Sequence, residues 1–350
     1  MSPKIPVAIL GATGTVGQKF VRLLAEHPWF EIAAVAASEQ SAGRRYEEAV
    51  HWREPVPIPP AVAGMIVGRT APPLPGRIVF SALDSSVAEP VEQAFAAAGA
   101  FVVTNTRTHR MVADVPLLIP EINPDHLALL ERQRRERGWK GGIVANPNCS
   151  TAGLVVAVAA LHRAFGLQKI FVATMQAVSG AGYPGVPSLD IVGNVIPFIS
   201  GEEEKLETEP LKILGSLDGV GVKPAAITIS AHTNRVPVID GHTEVVSLGF
   251  GRRVSPTEAV AALEAFTPPE EIRALPSTPT RLIAVDSLPD RPQPRIDIER
   301  GNGMTVSVGR IRPCPLLDLR FVLLSHNTIR GAAGAAVQNA ELLVVRGLAG

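Results

Sequence analysis

The chain has 350 residues, 46% of them hydrophobic and 19% charged, which suits two ordinary domains with a sizeable core and excludes general disorder. Lys and Arg number 33, as do Asp and Glu, so there is neither a basic footprint for nucleic acid nor an acidic tail. Two cysteines, Cys149 and Cys314, make no disulfide framework or zinc-ligand set, and the apolar stretch Ala152–Leu161 falls far short of the roughly 20 residues a membrane helix needs.

Val7–Leu10 is an apolar run ending at Gly11, as a buried parallel strand does. A helix is predicted from Thr15 to Glu26, with Val16, Phe20, Leu23 and Leu24 on one face. Glu31–Ala37, Met65–Val67, Ile78–Phe80 and Phe101–Thr104 read as strands, with a helix capped by Asp84 or Ser85 between the last two. Strands alternating with helices predict an open, mostly parallel α/β sheet. His126–Arg137 reads as a polar helix and Gly142–Ala145 as a strand, after which Asn146-Pro147-Asn148-Cys149 turns into a helix over Ser150–Phe165. Ile170–Ala177, Ala225–Ser230, Thr243–Phe250 and Arg320–Leu324 predict a mixed or antiparallel sheet, covered by a helix at Ser255–Phe266. An Ala-rich helix from Asn327 to about Val345 closes the chain and is expected to return to the first domain.

The turn Gly11-Ala12-Thr13-Gly14-Thr15-Val16-Gly17 lies between a strand and a helix. Gly11 permits a tight turn, Gly14 a close backbone approach to a pyrophosphate, and Gly17 close helix–strand packing, while the helix start offers amides to phosphate. After the second strand come Ser38, Ser41 and Arg44, hydroxyls and a cation that suit a ribose 2′-phosphate; Glu39 beside them opposes that charge.

Cys149 stands at the start of an apolar helix. A lone cysteine is more often a packed core residue, but a helix start stabilises a thiolate and lowers its pKa below the ~8.5 of a free thiol. Helix-start amides can also receive an oxyanion. These features point to a nucleophile, and Cys314, between two prolines, reads as structural. A thiolate beside a nicotinamide cofactor interconverts aldehyde and acyl group through thiohemiacetal and thioester, and such chemistry needs an acid/base. Of eight histidines, His242 stands out because it follows the strand-like arm Arg235–Gly241, which ends in a Gly turn; His232 and His326 are weaker candidates.

GATGTVGQ, NPNCST, QAVSGAGYPG, SGEEEK, NRVPVIDGH and NTIRGAAG together resemble aspartate-semialdehyde dehydrogenase of the shorter branch found in archaea and fungi. The resemblance implies a Rossmann-type doubly wound parallel sheet over residues 1–148 plus 327–350, and an α+β catalytic and oligomerisation domain with a mixed sheet over 149–326. It implies NADPH-dependent reduction of 4-aspartyl phosphate to aspartate 4-semialdehyde in a cytoplasmic homodimer or homotetramer, with no metal. On matching positions, Cys149 is the expected nucleophile, His242 the acid/base and Gln176 the group that orients the acyl carbon. Arg235 is expected on the substrate carboxylate, Glu203 on its amino group, Lys205 and Arg110 on phosphate, and Asn148 beside them. Gly11, Thr13, Gly14, Thr15, Val16, Ser38, Ser41, Arg44, Ser81, Asn105, Ser179, Gly180 and Asn327 are the expected NADP contacts. A malonyl- or succinyl-CoA reductase would use the same Cys149, His242 and Arg235 and release CoA. A non-catalytic NADP-binding regulator would keep the fold alone.

Overall fold

Apolar runs bounded by turns form the first sheet: β1 (Ile5–Leu10), β2 (Phe30–Ala37), β3 (Gly68–Arg69), β4 (Ile78–Ser81), β5 (Phe101–Thr104) and β6 (Gly142–Ala145). All pair in parallel in the order β3-β2-β1-β4-β5-β6, so the order reverses between β1 and β4, the place where a dinucleotide lies in doubly wound sheets. Every residue of β4, β5 and β6 is buried, as expected of strands covered on both faces. The helices α1 (Thr15–Ala25), α2 (Ser85–Ala97) and α3 (Leu129–Arg137) belong to the same unit. The strand expected at Met65–Val67 lies slightly later, at Gly68–Arg69, where only Ala36 and Ala37 remain to pair with it.

The second sheet follows α4 (Cys149–Phe165), which is buried on nearly every side over Ser150–Leu161. Its strands are β7 (Leu167–Gln176), β8 (Thr228–Arg235), β9 (His242–Phe250), β10 (Ile283–Asp286), β11 (Val306–Pro313) and β12 (Leu319–Ser325), in the mixed order β8-β7-β9-β12-β11-β10. Between β7 and β8 runs α5 (Glu202–Ile213), and α6 (Pro256–Ala265) follows β9. The strand expected at Ala225–Ser230 begins at Thr228 and runs on to Arg235, because its buried positions are Ala231, Thr233 and Arg235 rather than large apolar side chains. The chain ends in a π turn, Ile329–Ala333, leading into α7 (Gly334–Val345), so the long final helix starts later than its sequence suggests.

This computed structural model describes residues 3–349 in two compact units, one of residues up to 120 with 124–147 and 332–349, the other of 121–123 with 148–331. The return to the first unit comes at Ala332, five residues beyond the expected Asn327. Arg330, fully buried, pairs with buried Glu121 at 2.8 Å, and Arg163 donates to the Ile122 carbonyl at 2.6 Å. These bonds hold both the Glu121–Asn123 segment and residues up to Gly331 in the second unit. α7 packs in the first, where Glu341 bonds His27 at 2.8 Å.

Candidate active site

The turn before α4 is built by one asparagine. Asn148 is in extended backbone, and its Oδ1 accepts the amides of Ser150 at 3.0 Å and Thr151 at 3.3 Å, capping the helix that begins with Cys149. Its Nδ2 donates to Glu202 at 2.8 Å and its backbone N–H to Glu209 at 2.6 Å. Glu202 and Glu209 lie two turns apart on α5 and are both buried, so one helix face grips the cap of the next helix. Glu209 was not among the expected site residues. Its seven-residue spacing from Glu202 was the available signal.

Cys149 Sγ lies 3.1 Å from His242 Nε2. His242 is the first residue of β9 and is wholly buried; its Nδ1 accepts the Ala177 N–H at 3.1 Å. Arg235, last in β8, donates through Nη1 to the Ala177 carbonyl at 2.7 Å. The two peptide groups of Ala177 therefore orient both the imidazole and the guanidinium. Burial, reinforced by the charges of Arg235 and His326, pushes the His242 pKa down to about 3. Burial also lowers the Arg235 pKa, against the opposing pull of Cys149 and Glu202. A side chain at Gly180 would come within 2.9 Å of Arg235 Nη1 and 3.1 Å of His242 Cε1, and one at Gly331 within 2.7 Å of Cys149 Cβ, so glycines leave the space around this group.

The acid beside this group is Glu202. The expected Glu203 is turned away and accepts the Thr233 N–H of β8 at 3.1 Å. Burial raises the Glu202 pKa, but Lys205 and hydrogen bonds from Lys205, Asn148 and Gln176 outweigh it and hold the carboxyl below its usual range. Lys205 bonds Glu202 directly, and Gln176, 1% exposed, donates to Thr174 Oγ1 at 3.3 Å and to Glu202 at 3.4 Å. Cys149, His242, Gln176, Arg235, Asn148, Glu202 and Lys205 thus form one linked group in the second unit. Asn327, also there, donates to Ser179 Oγ at 2.8 Å and accepts the Gly241 N–H at 2.8 Å, next to His242.

The first unit carries the glycine turn. Gly11 has φ +72°, and a Cβ on it would stand 2.4 Å from the Ala82 carbonyl oxygen. A Cβ on Gly17 would stand 2.2 Å from the Gly11 oxygen. Gly14 begins α1 with no side chain capping it, and Thr13, Thr15 and Val16 are half-buried around it. A turn with glycine at Gly11, Gly14 and Gly17, under a helix start with no side-chain cap, fits a pyrophosphate. Ser38 is exposed and Ser41 half-buried beyond β2; Arg44 is exposed and bonds the Glu48 carbonyl. Glu39 has a counter-ion in Arg69, 3.5 Å away at the end of β3, a partner the sequence did not reveal.

Ser81 departs from expectation. Its hydroxyl turns into the core and donates to buried Glu92 at 2.6 Å, a carboxylate that Thr104 also bonds at 2.6 Å, so it offers no side chain to a cofactor. Asn105 Oδ1 accepts from Asn146 at 2.9 Å, and buried Arg110 donates to the Asn105 carbonyl at 2.9 Å. Arg110 belongs to the first unit.

The family model of the semialdehyde dehydrogenase NAD-binding domain matches residues 6–130, and that of the semialdehyde dehydrogenase dimerisation domain matches residues 158–330. Aspartate-semialdehyde dehydrogenase of Archaeoglobus fulgidus is 51% identical over 97% of either chain, and that of Cryptococcus neoformans 48% identical over 99% of this chain and 98% of its own. The crystal structure of aspartate-semialdehyde dehydrogenase with NADP from Candida albicans matches with a TM-score of 0.91 at 41% identity, over 99% of this chain and 100% of that one.

Proposed function

The chain belongs to the aspartate-semialdehyde dehydrogenase family, and on that premise we propose that it reduces 4-aspartyl phosphate to aspartate 4-semialdehyde through a thioacyl intermediate on Cys149. The observation that carries this reading is Cys149 Sγ at the start of α4, 3.1 Å from a buried imidazole and electrostatically coupled to Arg235. The thiolate attacks the acyl carbon, the carbon–oxygen bond to phosphate breaks, and phosphate leaves. After reduction of the thioester, the carbon–sulfur bond breaks and the aldehyde departs. Arg235 retains further N–H donors for the substrate carboxylate, in the forked geometry that carboxylates fit. Glu202, in place of Glu203, holds the amino group, Lys205 draws the phosphate, and Gln176 orients the acyl group. Arg110 is the further phosphate ligand of the first unit.

NADP supplies the hydride when bound. Gly11, Thr13, Gly14, Thr15 and Val16 would hold its pyrophosphate, Ser38, Ser41 and Arg44 its 2′-phosphate, and Asn105, Ser179, Gly180 and Asn327 its remaining polar groups. The enzyme works as a homodimer or homotetramer through the second unit, in the cytoplasm; the match of residues 158–330 to a dimerisation domain supports the first of these statements. No described helix is long and apolar enough to cross a membrane.

The test is turnover of aspartate semialdehyde with phosphate and NADP, beside malonyl-CoA with NADPH, together with mass spectrometry of protein quenched during turnover. An acyl mass on the peptide containing Cys149 is expected. Turnover of the CoA ester alone, or an adduct mapping to Cys314, would overturn the assignment.

A further inference from the structure

The glycine turn before α1 treats its carbonyls and its amides unequally. The Gly11 carbonyl accepts the Gly14 N–H at 3.0 Å, and the Gly14 carbonyl accepts the Gln18 N–H at 2.9 Å. Between them, the Ala12 carbonyl accepts the hydroxyl of Tyr46 at 2.9 Å and the Thr13 carbonyl accepts Gln18 Nε2 at 2.9 Å. Every carbonyl from Gly11 to Gly14 is thus engaged inside the protein. The N–H groups of Thr13 and Thr15 have no protein partner among the described residues.

A trans peptide points its C=O and its N–H in opposite directions. Tyr46 is fully buried, so its bond turns the Ala12 carbonyl inward, and the Thr13 N–H of the same peptide plane points outward. The next plane is fixed at both ends, with the Thr13 carbonyl on Gln18 and the Gly14 N–H on Gly11. A flip of the Ala12–Thr13 plane would present a carbonyl oxygen where a donor now stands, and that oxygen would repel an anion.

We propose that Tyr46 and Gln18 are positioning residues for the cofactor pyrophosphate: they hold the Ala12 and Thr13 carbonyls inward and thereby aim the Thr13 N–H at phosphate. The proposal rests on the reading above that the glycine turn holds NADP. Each side chain acts through a backbone carbonyl and not by contact with the cofactor.

The surroundings of both residues are ordered. The Tyr46 N–H donates to the Met65 carbonyl at 2.8 Å, and the Trp52 ring stands edge-on to the Tyr46 ring with centroids 6.4 Å apart. Burial, and after it the charge of Glu54, raises the Tyr46 pKa, so the hydroxyl keeps its proton and stays a donor at ordinary pH. Gln18, itself buried, uses its whole carboxamide: Nε2 also reaches the His51 carbonyl at 3.1 Å, and Oε1 accepts the Arg53 N–H at 2.8 Å. Glu54 pairs with Lys19 and Arg22 of α1 at 3.1 and 3.0 Å. Residues 46–54 are therefore strapped along α1, and the donors are set before a ligand arrives, which spares the ligand the cost of ordering them. If the two side-chain bonds only satisfied buried polar groups, their loss would lower stability without distinguishing one ligand from another.

The test compares two ligands of the full chain by competition fluorescence titration: NADP, and adenosine 2′-phosphate, which has the adenosine and the 2′-phosphate but no pyrophosphate. Tyr46→Phe and Gln18→Met should each weaken NADP binding by roughly 3–10-fold, the range of one neutral hydrogen bond, while adenosine 2′-phosphate stays within about twofold. A second arm uses wild-type protein labelled with ¹⁵N-threonine and needs neither variant to fold. There the Thr13 amide signal, assigned by its disappearance in Thr13→Ala, should move on addition of NADP and stay in place with adenosine 2′-phosphate. Equal weakening of both ligands, unchanged NADP affinity in the two variants, or a Thr13 amide that NADP leaves unmoved would overturn the proposal. Gly11→Ala separates this failure from that of the parent reading. NADP affinity unchanged in Gly11→Ala would remove the turn from the cofactor site altogether, whereas a loss in Gly11→Ala with none in Tyr46→Phe and Gln18→Met would sink the positioning role alone.

Discussion

Two helices in this chain begin in a turn directly after a buried parallel strand, and they treat their first amides in opposite ways. α1 begins at Gly14 with no side chain over its end. α4 begins at Asn148, whose carboxamide oxygen takes two amides and whose side-chain and backbone N–H groups donate to Glu202 and Glu209. A glycine start leaves donors for an outside anion, and this asparagine start takes two of them internally. Both look alike as strand–turn–helix junctions. The first suits phosphate, whereas the second fixes a thiol in place and leaves the polar chemistry to side chains from neighbouring strands.

The comparison is tested most severely at the sulfur. Cys149→Ser should lower kcat by ~10⁴-fold or more, as loss of a nucleophile that acts as one unit with its partners does, and should abolish the acyl adduct. NADP affinity, measured by fluorescence titration, should stay within about twofold, since the cradle lies in the other unit. A large loss of NADP binding would break the separation of roles.

Gly11→Ala attacks the other helix start. The new Cβ meets the Ala82 backbone at 2.4 Å in a left-handed conformation, so the turn must shift. A cost of about 1–3 kcal/mol in stability, read by denaturant unfolding, is expected, together with a raised KM for NADP. An unchanged KM would remove the turn from the cofactor site.

Glu244 lies on the same face of the second sheet as His242, and neither of its carboxyl oxygens has a hydrogen-bond partner among the described residues. Burial raises its pKa well above the ordinary value. Its contribution to stability is therefore present below the unfolded pKa and lost as pH rises, because the unfolded chain ionises while the native carboxyl stays protonated. Glu244→Met should raise Tm, with a gain that grows from about pH 5 upward and corresponds to about 1–3 kcal/mol, the cost of an unsatisfied buried group. His242 acts in the opposite sense: its pKa of about 3 means that its contribution is lost as pH falls from the unfolded value toward 3. A Tm gain that shrinks with rising pH would contradict the assignment to Glu244.

The smallest effect on stability is expected at the cap. Asn148→Ala should cost about 0.5–2 kcal/mol by thermal unfolding. It also sharpens the contrast between the two starts, because kcat should fall while KM for NADP holds. A fall in both would mean that the cap supports more than the second unit.

What the sequence made legible was local. The glycine turn and the Asn146–Cys149 turn could be read because each lies wholly between one strand and one helix. β8 was misjudged in extent because Thr233 and Arg235 occupy buried positions that usually hold apolar residues. Three glutamates in a row conceal which one faces inward, and the helix phase set by Gly201, at φ +68°, decides for Glu202. Ser81 sits at a strand end where a cofactor contact is natural, yet Glu92 on the neighbouring helix takes its hydroxyl. The bond that orients the His242 ring comes from an amide 65 residues away, and no local pattern announces that.

Ala177 also sets a limit on conventional mutagenesis. Its amide fixes one working side chain and its carbonyl another, yet its own side chain does neither. Alanine scanning passes over it, since alanine is already there, and most replacements keep both peptide groups. A semisynthetic protein with an ester in place of the amide at residue 177 would lose the N–H and keep the carbonyl of that residue. That single-atom change would release the imidazole while leaving the guanidinium anchored; among the encoded residues proline alone also removes this N–H, and the backbone of Ala177, at φ −64°, admits it.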